Sequence, residues 1–319
     1  MVEPIEPAPG MLDGPAAYNG SWERAGRSPL SAALLALLGI GVFYFYIQSI
    51  LTVVVVAVST AINPPEDAGG TLFNRIMLLL RQHKTEIHVV IVVTQFLFML
   101  VPTLWVVRRW HTMDIRRYIR LRSARPGEIV LAVAATLCII PASSYIANAL
   151  MDLLSVPEEI LKTRMELFTA SSIPELCWLI IVIAVTPAIC EEIFFRGYVQ
   201  RTMERRIGGR SVIIVGVLFG LFHLQPLSLI SLSILGLVFG YFFYRSASLI
   251  PSMAAHFVNN ALAVASLYGG NRLGNIDFDR MPLVWVVVSF AAGAGLLFWF
   301  HKITEKNFRA ETAASLTPR

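Results

Sequence analysis

The chain has 319 residues, of which 56% are hydrophobic and 15% are charged, and its mean hydropathy is +0.66. A soluble domain usually has about a quarter of its residues charged, so this composition excludes an ordinary soluble protein and predicts an integral membrane protein. The net charge of +5 comes from arginines in short polar stretches between apolar runs, a pattern that favours contact with lipid headgroups over nucleic-acid binding.

Eight apolar runs follow one another along the chain. They lie near 30–58, 86–107, 127–150, 175–199, 211–225, 227–245, 249–268 and 282–301. The first run is far longer than the hydrophobic region of a signal peptide, which indicates a retained span. We therefore predict an all-α polytopic membrane protein of about eight transmembrane helices within residues 29–303. A disordered tail is predicted at 1–28 and a second tail at 304–319.

Basic residues in the connections predict the orientation, because Lys and Arg are retained on the cytoplasmic side. Seven arginines from Arg108 to Arg125 lie between the second and third spans, and four from Arg201 to Arg210 lie between the fourth and fifth. The acidic stretch between the third and fourth spans should face outward. Eight spans then place both termini in the cytoplasm, and we expect the plasma (inner) membrane as the location.

The fourth span ends in CEEIFFRGYVQ, which places two carboxylates and one arginine in an apolar helix. Each such group costs at least about 2.5 to 3.5 kcal/mol in a membrane, so it needs a partner, a cavity or a function. Glu192 and Arg196 share a helix face, which predicts an ion pair. Glu191 points about 100° away from that face. The alternative is that these side chains extend to the membrane surface.

Two further spans carry histidines. His223 lies in the fifth span, and His256 lies in the seventh on the same face as Asn260. A carboxylate in a poorly hydrated cavity suits general-base attack by water, and a His and an Asn amide can stabilise the oxyanion that forms. Glu191, His223 and His256 could instead bind a divalent metal such as zinc, although the zincin motif H-E-x-x-H is absent. A lone buried His is more often a packing residue.

The order of three motifs resembles the CPBP (Abi) family, which includes the CAAX prenyl endopeptidases. The motifs are Glu191-Glu192-Ile-Phe-Phe-Arg196, Phe219-Gly-Leu-Phe-His223 and His256-Phe-Val-Asn-Asn260. The resemblance covers about residues 170–268, the expected catalytic core.

This resemblance implies an intramembrane endopeptidase that hydrolyses a membrane-tethered or lipidated polypeptide, with a CAAX-type prenylated chain as the best-known substrate class. Glu191 and His223 would activate water, and His256 and Asn260 would stabilise the oxyanion. Glu192 and Arg196 would support them. Family members are described both as metalloproteases and as metal-free glutamate-dependent peptidases, so both mechanisms stay open. The alternatives are a proton-coupled secondary transporter that uses the same Glu and His residues, or a non-catalytic immunity or scaffold protein.

The depth of His223 is the test of this assignment. At about 1.5 Å per residue from the cytoplasmic ends, Glu191 and His256 lie roughly 10 Å deep, whereas His223 lies nearer 20 Å from Arg210. We expect the fourth and fifth spans to be offset, with Ile207-Gly208-Gly209 outside the bilayer. Otherwise His223 does not belong to the site.

Overall fold

Eight helices of 13 residues or more make up most of the chain in a computed structural model that describes residues 18–64, 72–154, 167–273 and 281–316. Their bounds are α1 Pro29–Ile62, α2 Lys84–His111, α3 Pro126–Leu153, α4 Ile173–Ile207, α5 Arg210–Phe222, α6 Pro226–Ser246, α7 Leu249–Leu273 and α8 Leu283–Leu316. Each helix covers most or all of one predicted span, and the described ranges contain no strand. The prediction of an all-α polytopic membrane protein is confirmed.

Two of the eight helices differ from ordinary membrane spans. The other six (α1, α2, α3, α4, α6 and α8) are long and apolar enough to cross a membrane. Helix α5 has 13 residues, about 20 Å of helix, which is less than the roughly 30 Å thickness of the hydrocarbon core. Helix α7 has 25 residues, but Ser252, His256, Asn259 and Asn260 lower its hydropathy.

Helix α4 lies at the centre of the bundle. All ten residues from Glu191 to Gln200 are buried, because α1, α2, α5, α6 and α7 all pack against this part of α4. A charged side chain is tolerated within a membrane where it faces protein or a cavity instead of lipid. The central position of α4 therefore explains why this helix carries the acidic pair and the arginine.

Three helices contain π-helical stretches, which occur frequently at functional sites. They lie at Leu37–Val42 in α1, at Gln95–Leu100 and Val107–His111 in α2, and at Ile180–Val185 and Ile193–Gln200 in α4. The last stretch begins directly after Glu192. The wider turns rotate the following residues, so the side chains after each stretch point differently from those of a regular α-helix.

Helices α5 and α6 form a tight hairpin built on glycines. A Cβ added at Gly236 would lie 2.6 Å from the Gly216 carbonyl oxygen, and a Cβ at Gly216 would lie 2.8 Å from the Leu237 backbone nitrogen. Small residues let two membrane helices approach until their backbones touch. This close approach brings the backbone of α6 near the buried face of α4.

The predicted disordered tail at 1–28 is wrong for residues 18–28. Ser21–Arg24 is a short helix, Trp22 is buried, and its ring stacks on Trp110 with the centroids 4.9 Å apart. Glu23 receives two hydrogen bonds from Arg205, at 2.6 and 3.0 Å, and one of 2.5 Å from Nδ1 of His111. The sequence of this segment is polar and contains glycine, so it gives no local indication of a folded element. The partners in these contacts are far away along the chain.

Helix α8 continues into the predicted tail at 304–319 and ends at Leu316, and Thr304 is buried. An amphipathic helix at Leu72–Gln82, between α1 and α2, was not predicted. Residues 1–17 and the acidic positions Glu158, Glu159 and Glu166 lie outside the described residues.

The contacts of Glu23 predict a pH dependence. Burial by itself would raise the pKa of Glu23, but the hydrogen bonds from Arg205 and His111 outweigh it and lower the pKa from 4.5 to about 2. A lowered folded-state pKa means that the carboxylate contributes stability above pH 4.5, and that this contribution disappears as the pH falls through about 2.

We expect Glu23→Gln to lower the free energy of unfolding at pH 7 by about 1 to 3 kcal/mol, the usual cost of losing hydrogen bonds to a charged group. The difference from the wild type should shrink below pH 4.5. Unfolding in detergent micelles at both pH values measures it. Asp152→Asn, at an exposed carboxylate near the end of α3, is the control, and an equal effect of both substitutions would contradict the prediction.

Candidate active site

The buried carboxylate of Glu192 organises the site. Its Oε1 accepts a hydrogen bond of 2.7 Å from Nη1 of Arg196 and one of 2.9 Å from Nδ1 of His256. Its Oε2 accepts a hydrogen bond from the hydroxyl of Ser252. The side chains of Glu192 and Arg196 are fully buried. The ion pair predicted from their spacing is present within α4, and the contacts of Glu192 with His256 and Ser252 join α4 to α7.

Arg196 extends the same network to α6. Its Nη2 donates to the Gly236 carbonyl at 3.1 Å. The close packing of α5 against α6 holds this carbonyl near α4. The guanidinium lies over the Phe219 ring, with Cζ 4.4 Å from the centroid, and near Phe239 at 5.6 Å. A desolvated cation gains most from such aromatic faces. The charge of Arg196 is therefore balanced by one carboxylate, one carbonyl and two rings.

His256 is fixed in orientation by its surroundings. Its ring stacks on Phe239 with the centroids 5.2 Å apart and meets the edge of Phe219 at 5.8 Å. Because the ionised Glu192 can only accept, Nδ1 of His256 carries the hydrogen in this contact. Nε2 is then a lone pair in the neutral ring and becomes a donor only in the imidazolium form.

Glu191 and His223 face each other across a gap. Glu191 is 8% exposed, its Oε2 has no hydrogen-bond partner, and this atom lies 3.9 Å from Nε2 of His223. Nδ1 of His223 donates to the Phe219 carbonyl at 2.8 Å. The gap is too long for a direct hydrogen bond, but one water could contact both atoms at about 2.8 Å.

The depth conflict raised by the sequence disappears in the fold. Helix α4 ends at Ile207, not near residue 199, and α5 begins at Arg210. Glu191 is 16 residues before Ile207 and His223 is 13 residues after Arg210, which places them about 24 and 20 Å from the turn. The expected offset between the fourth and fifth spans arises because α4 is longer than predicted. Glu191 and His223 therefore lie at similar depths.

Asn260 stands apart from the other predicted residues. Its Nδ2 donates to the Ile183 carbonyl at 2.8 Å, and its Oδ1 accepts from Asn259 at 2.9 Å. An amide nitrogen has two hydrogens, so one remains for a further acceptor. Asn260 thus ties α7 to the π-helical stretch of α4 and keeps one donor.

The three side chains predicted as metal ligands do not meet at one point in the structure. In the described part of the chain, no group of three or more His, Cys, Asp or Glu side chains is arranged to hold a metal ion. Oε2 of Glu191 and Nε2 of His223 lie 3.9 Å apart, and His256 binds Glu192 through Nδ1. The contact through Nδ1 does not itself exclude a metal, because a metal-binding histidine commonly donates its other ring N–H to a carboxylate.

Sequence reasoning missed Ser252. It lies four residues before His256 and is fully buried, so a polar residue one turn from His256 on the same face was the available signal. Its hydroxyl supplies the donor for Glu192 Oε2. Without that donor, one oxygen of a buried carboxylate would remain unsatisfied.

We expect Ser252→Ala to reduce the free energy of unfolding by about 1 to 3 kcal/mol, because it leaves a buried charged acceptor without its donor. Ser252→Thr keeps the hydroxyl and should lose less. Ser266→Ala, at an exposed position on the same helix, is the matched control. Thermal and chemical unfolding in micelles give the comparison, and similar losses for Ser252→Ala and Ser266→Ala would refute the role of this hydrogen bond.

Residues 173–262 match the family model described as Rce1-like, type II CAAX prenyl endopeptidase. The matched segment contains Glu191, Glu192, Arg196, His223, His256 and Asn260. No curated protein and no solved structure matches the chain significantly. The family resemblance predicted from the three motifs is confirmed, since the segment from α4 to α7 is similar to the Rce1-like type II CAAX prenyl endopeptidases.

Proposed function

We propose that this chain is an intramembrane endopeptidase that hydrolyses a peptide bond of a membrane-tethered polypeptide of the prenylated CAAX type. The single observation that carries the proposal is the buried, unpartnered Glu191 Oε2 at 3.9 Å from His223 Nε2. An unsatisfied carboxylate oxygen in a membrane protein is costly, and a bound water would satisfy it. The substrate class is taken from the family that the segment 173–262 matches.

In the proposed reaction, one water binds between Glu191 and His223. Glu191 takes a proton from this water as the oxygen attacks the scissile carbonyl carbon, and the carbonyl oxygen becomes an oxyanion. Glu191 then returns the proton to the leaving amine as the carbon–nitrogen bond breaks. Holding the water between two oriented groups supplies much of the rate enhancement, since the reacting atoms do not have to meet by diffusion.

The remaining donors of the site are assigned to the oxyanion. His256 offers Nε2 as a donor in its imidazolium form, and Asn260 offers the Nδ2 hydrogen that Ile183 does not accept. Glu192 and Arg196 position His256 and take no part in the proton transfer.

The arrangement of arginines supports an orientation of the bundle in the membrane. The residues at the ends of α2 and α4 and the start of α5 include the exposed Arg108, Arg109, Arg206 and Arg210. Since basic residues are retained on the cytoplasmic side, we propose that this end faces the cytoplasm of a plasma (inner) membrane protein.

Glu191→Gln should abolish cleavage of a farnesylated CAAX-type peptide in proteoliposomes, with a loss of about 10²- to 10⁴-fold, because the amide cannot take a proton. Product release measured by mass spectrometry gives the rate, and thermal unfolding checks the fold. Glu86→Gln, at the more exposed carboxylate at the start of α2, should cleave as the wild type does. Undiminished cleavage by Glu191→Gln would rule out Glu191 as the base.

Cleavage should also survive metal removal. Protein shown by elemental analysis to be metal-free after exhaustive chelation should retain its rate within about twofold, because the proposed water is held by protein groups alone. Loss of activity that added zinc restores would reject this mechanism and support the metal-dependent one.

A further inference from the structure

Phe222 directly precedes His223 and places its ring against α1 and α4. Phe222 is the last residue of α5, and His223 follows it as the C-terminal cap. The half-buried ring of Phe222 contacts Phe45 of α1, with the centroids 4.5 Å apart, and Phe195 of α4, with the centroids 4.9 Å apart. The ring of Phe194 also approaches it, at 6.2 Å. Aromatic contacts therefore hold the end of α5 against two other helices.

Gly41 of α1 determines how closely this ring packs. A Cβ added at Gly41 would lie 2.8 Å from Cε2 of Phe222 and 3.7 Å from Cζ of Phe194. Real Cβ atoms essentially never lie within 3.0 Å of such a neighbour, so the Phe222 ring would have to move. Phe45 and Phe195 contact the same ring and limit the space into which it can move. The observed position of Phe222 therefore requires glycine at position 41.

A movement of Phe222 would reach His223, because the imidazole is tied to the last turn of α5. Nδ1 of His223 donates to the Phe219 carbonyl at 2.8 Å, which fixes the imidazole relative to α5. The helix has ended by Leu224, whose φ is +50°, so no further helical turn supports this end. The distance from His223 to Glu191 on α4 therefore depends on where the end of α5 packs.

The water site between Glu191 and His223 tolerates little change in this distance. Oε2 of Glu191 and Nε2 of His223 are 3.9 Å apart. One water can contact both atoms only while they lie within about 5.6 Å of each other, which is twice the length of a hydrogen bond. A misplacement of about 1 Å can already lower a rate by about 10²-fold. The packing of Phe222 can therefore control the reaction without contact with the substrate.

We propose that Phe222 is a positioning residue, which holds His223 at the distance from Glu191 that one water can bridge, and that Gly41 provides the space for its ring. The proposal rests on the endopeptidase function proposed above. It gives α1 a role in the reaction, although α1 lies outside the segment 173–262 that matches the family.

The first test compares Gly41→Ala with Gly39→Ala on a farnesylated CAAX-type peptide. Both glycines lie in the π-helical stretch Leu37–Val42, so both substitutions change the helix propensity alike, but a Cβ at Gly39 would meet nothing within 4 Å. We expect Gly41→Ala to lower kcat by about 10- to 10²-fold and to change KM by less than about threefold. Gly39→Ala should match the wild type. If Gly41→Ala keeps the wild-type kcat, or if both variants lose equally, while Glu191→Gln is inactive, the positioning role is refuted and the proposed function stands.

A double substitution tests whether the effect passes through the Phe222 ring. Phe222→Leu removes the ring atoms that a Cβ at position 41 would contact. We expect Phe222→Leu to lower kcat, because its contacts with Phe45 and Phe195 are lost. Adding Gly41→Ala to this variant should then cost less than about twofold more, since the two residues act through one contact. Two independent losses that multiply would refute the role of Phe222.

A structural measurement decides the proposal even if the wild type does not cleave this peptide, a result that would count against the proposed substrate. Crystal structures of the wild type and of both glycine variants give the distance between Glu191 Oε2 and His223 Nε2. This distance should change by at least about 0.5 Å in Gly41→Ala, which exceeds the tolerance of a productive site, and stay the same in Gly39→Ala. An unchanged distance in Gly41→Ala would overturn the proposal, whatever the activity of that variant.

Discussion

The buried carboxylate of Glu192 is the constraint on which the site depends. A buried ionised carboxylate is costly unless its oxygens are hydrogen-bonded, and here Arg196, His256 and Ser252 supply donors to both oxygens of Glu192. Arg196 in turn needs the Gly236 carbonyl. One costly charge thus requires α4, α6 and α7 to meet at a single point, and it orients the imidazole of His256.

Aromatic packing completes this arrangement without adding polar groups. Phe219 contacts the guanidinium of Arg196 and the rings of His223 and His256. Its backbone carbonyl also accepts from His223 and so selects the tautomer. One residue of the F-x-x-x-H motif therefore connects the water-binding pair to the charge network, which gives a physical reason for a phenylalanine four residues before the histidine.

The N-terminal segment at 18–28 and α1 are bound to the helices that carry the site. Glu23 binds the ends of α2 and α4 through His111 and Arg205, and α1 then packs at Gly41 against Phe222, the residue before His223. The position of α1 is thereby fixed at the polar end by charged hydrogen bonds and within the membrane by the contact of Gly41 with Phe222. These contacts bind the N-terminal segment and α1 to helices of the matched segment.

The sequence by itself determined the all-α polytopic class, the eight apolar spans and the pairing of Glu192 with Arg196. These depend on local composition and on helical spacing, which the bilayer makes easy to interpret because uncompensated charge is so costly. The roles assigned to Glu191, His223, His256 and Asn260 remain predictions. Only the tertiary structure decided the depth of His223, since it depends on where α4 ends. Tertiary contacts also decided the hydroxyl donor from Ser252, the carbonyl acceptor from Gly236 and the docking of Glu23. These contacts join residues distant in the chain, and no local pattern encodes which distant donor will satisfy a buried charge.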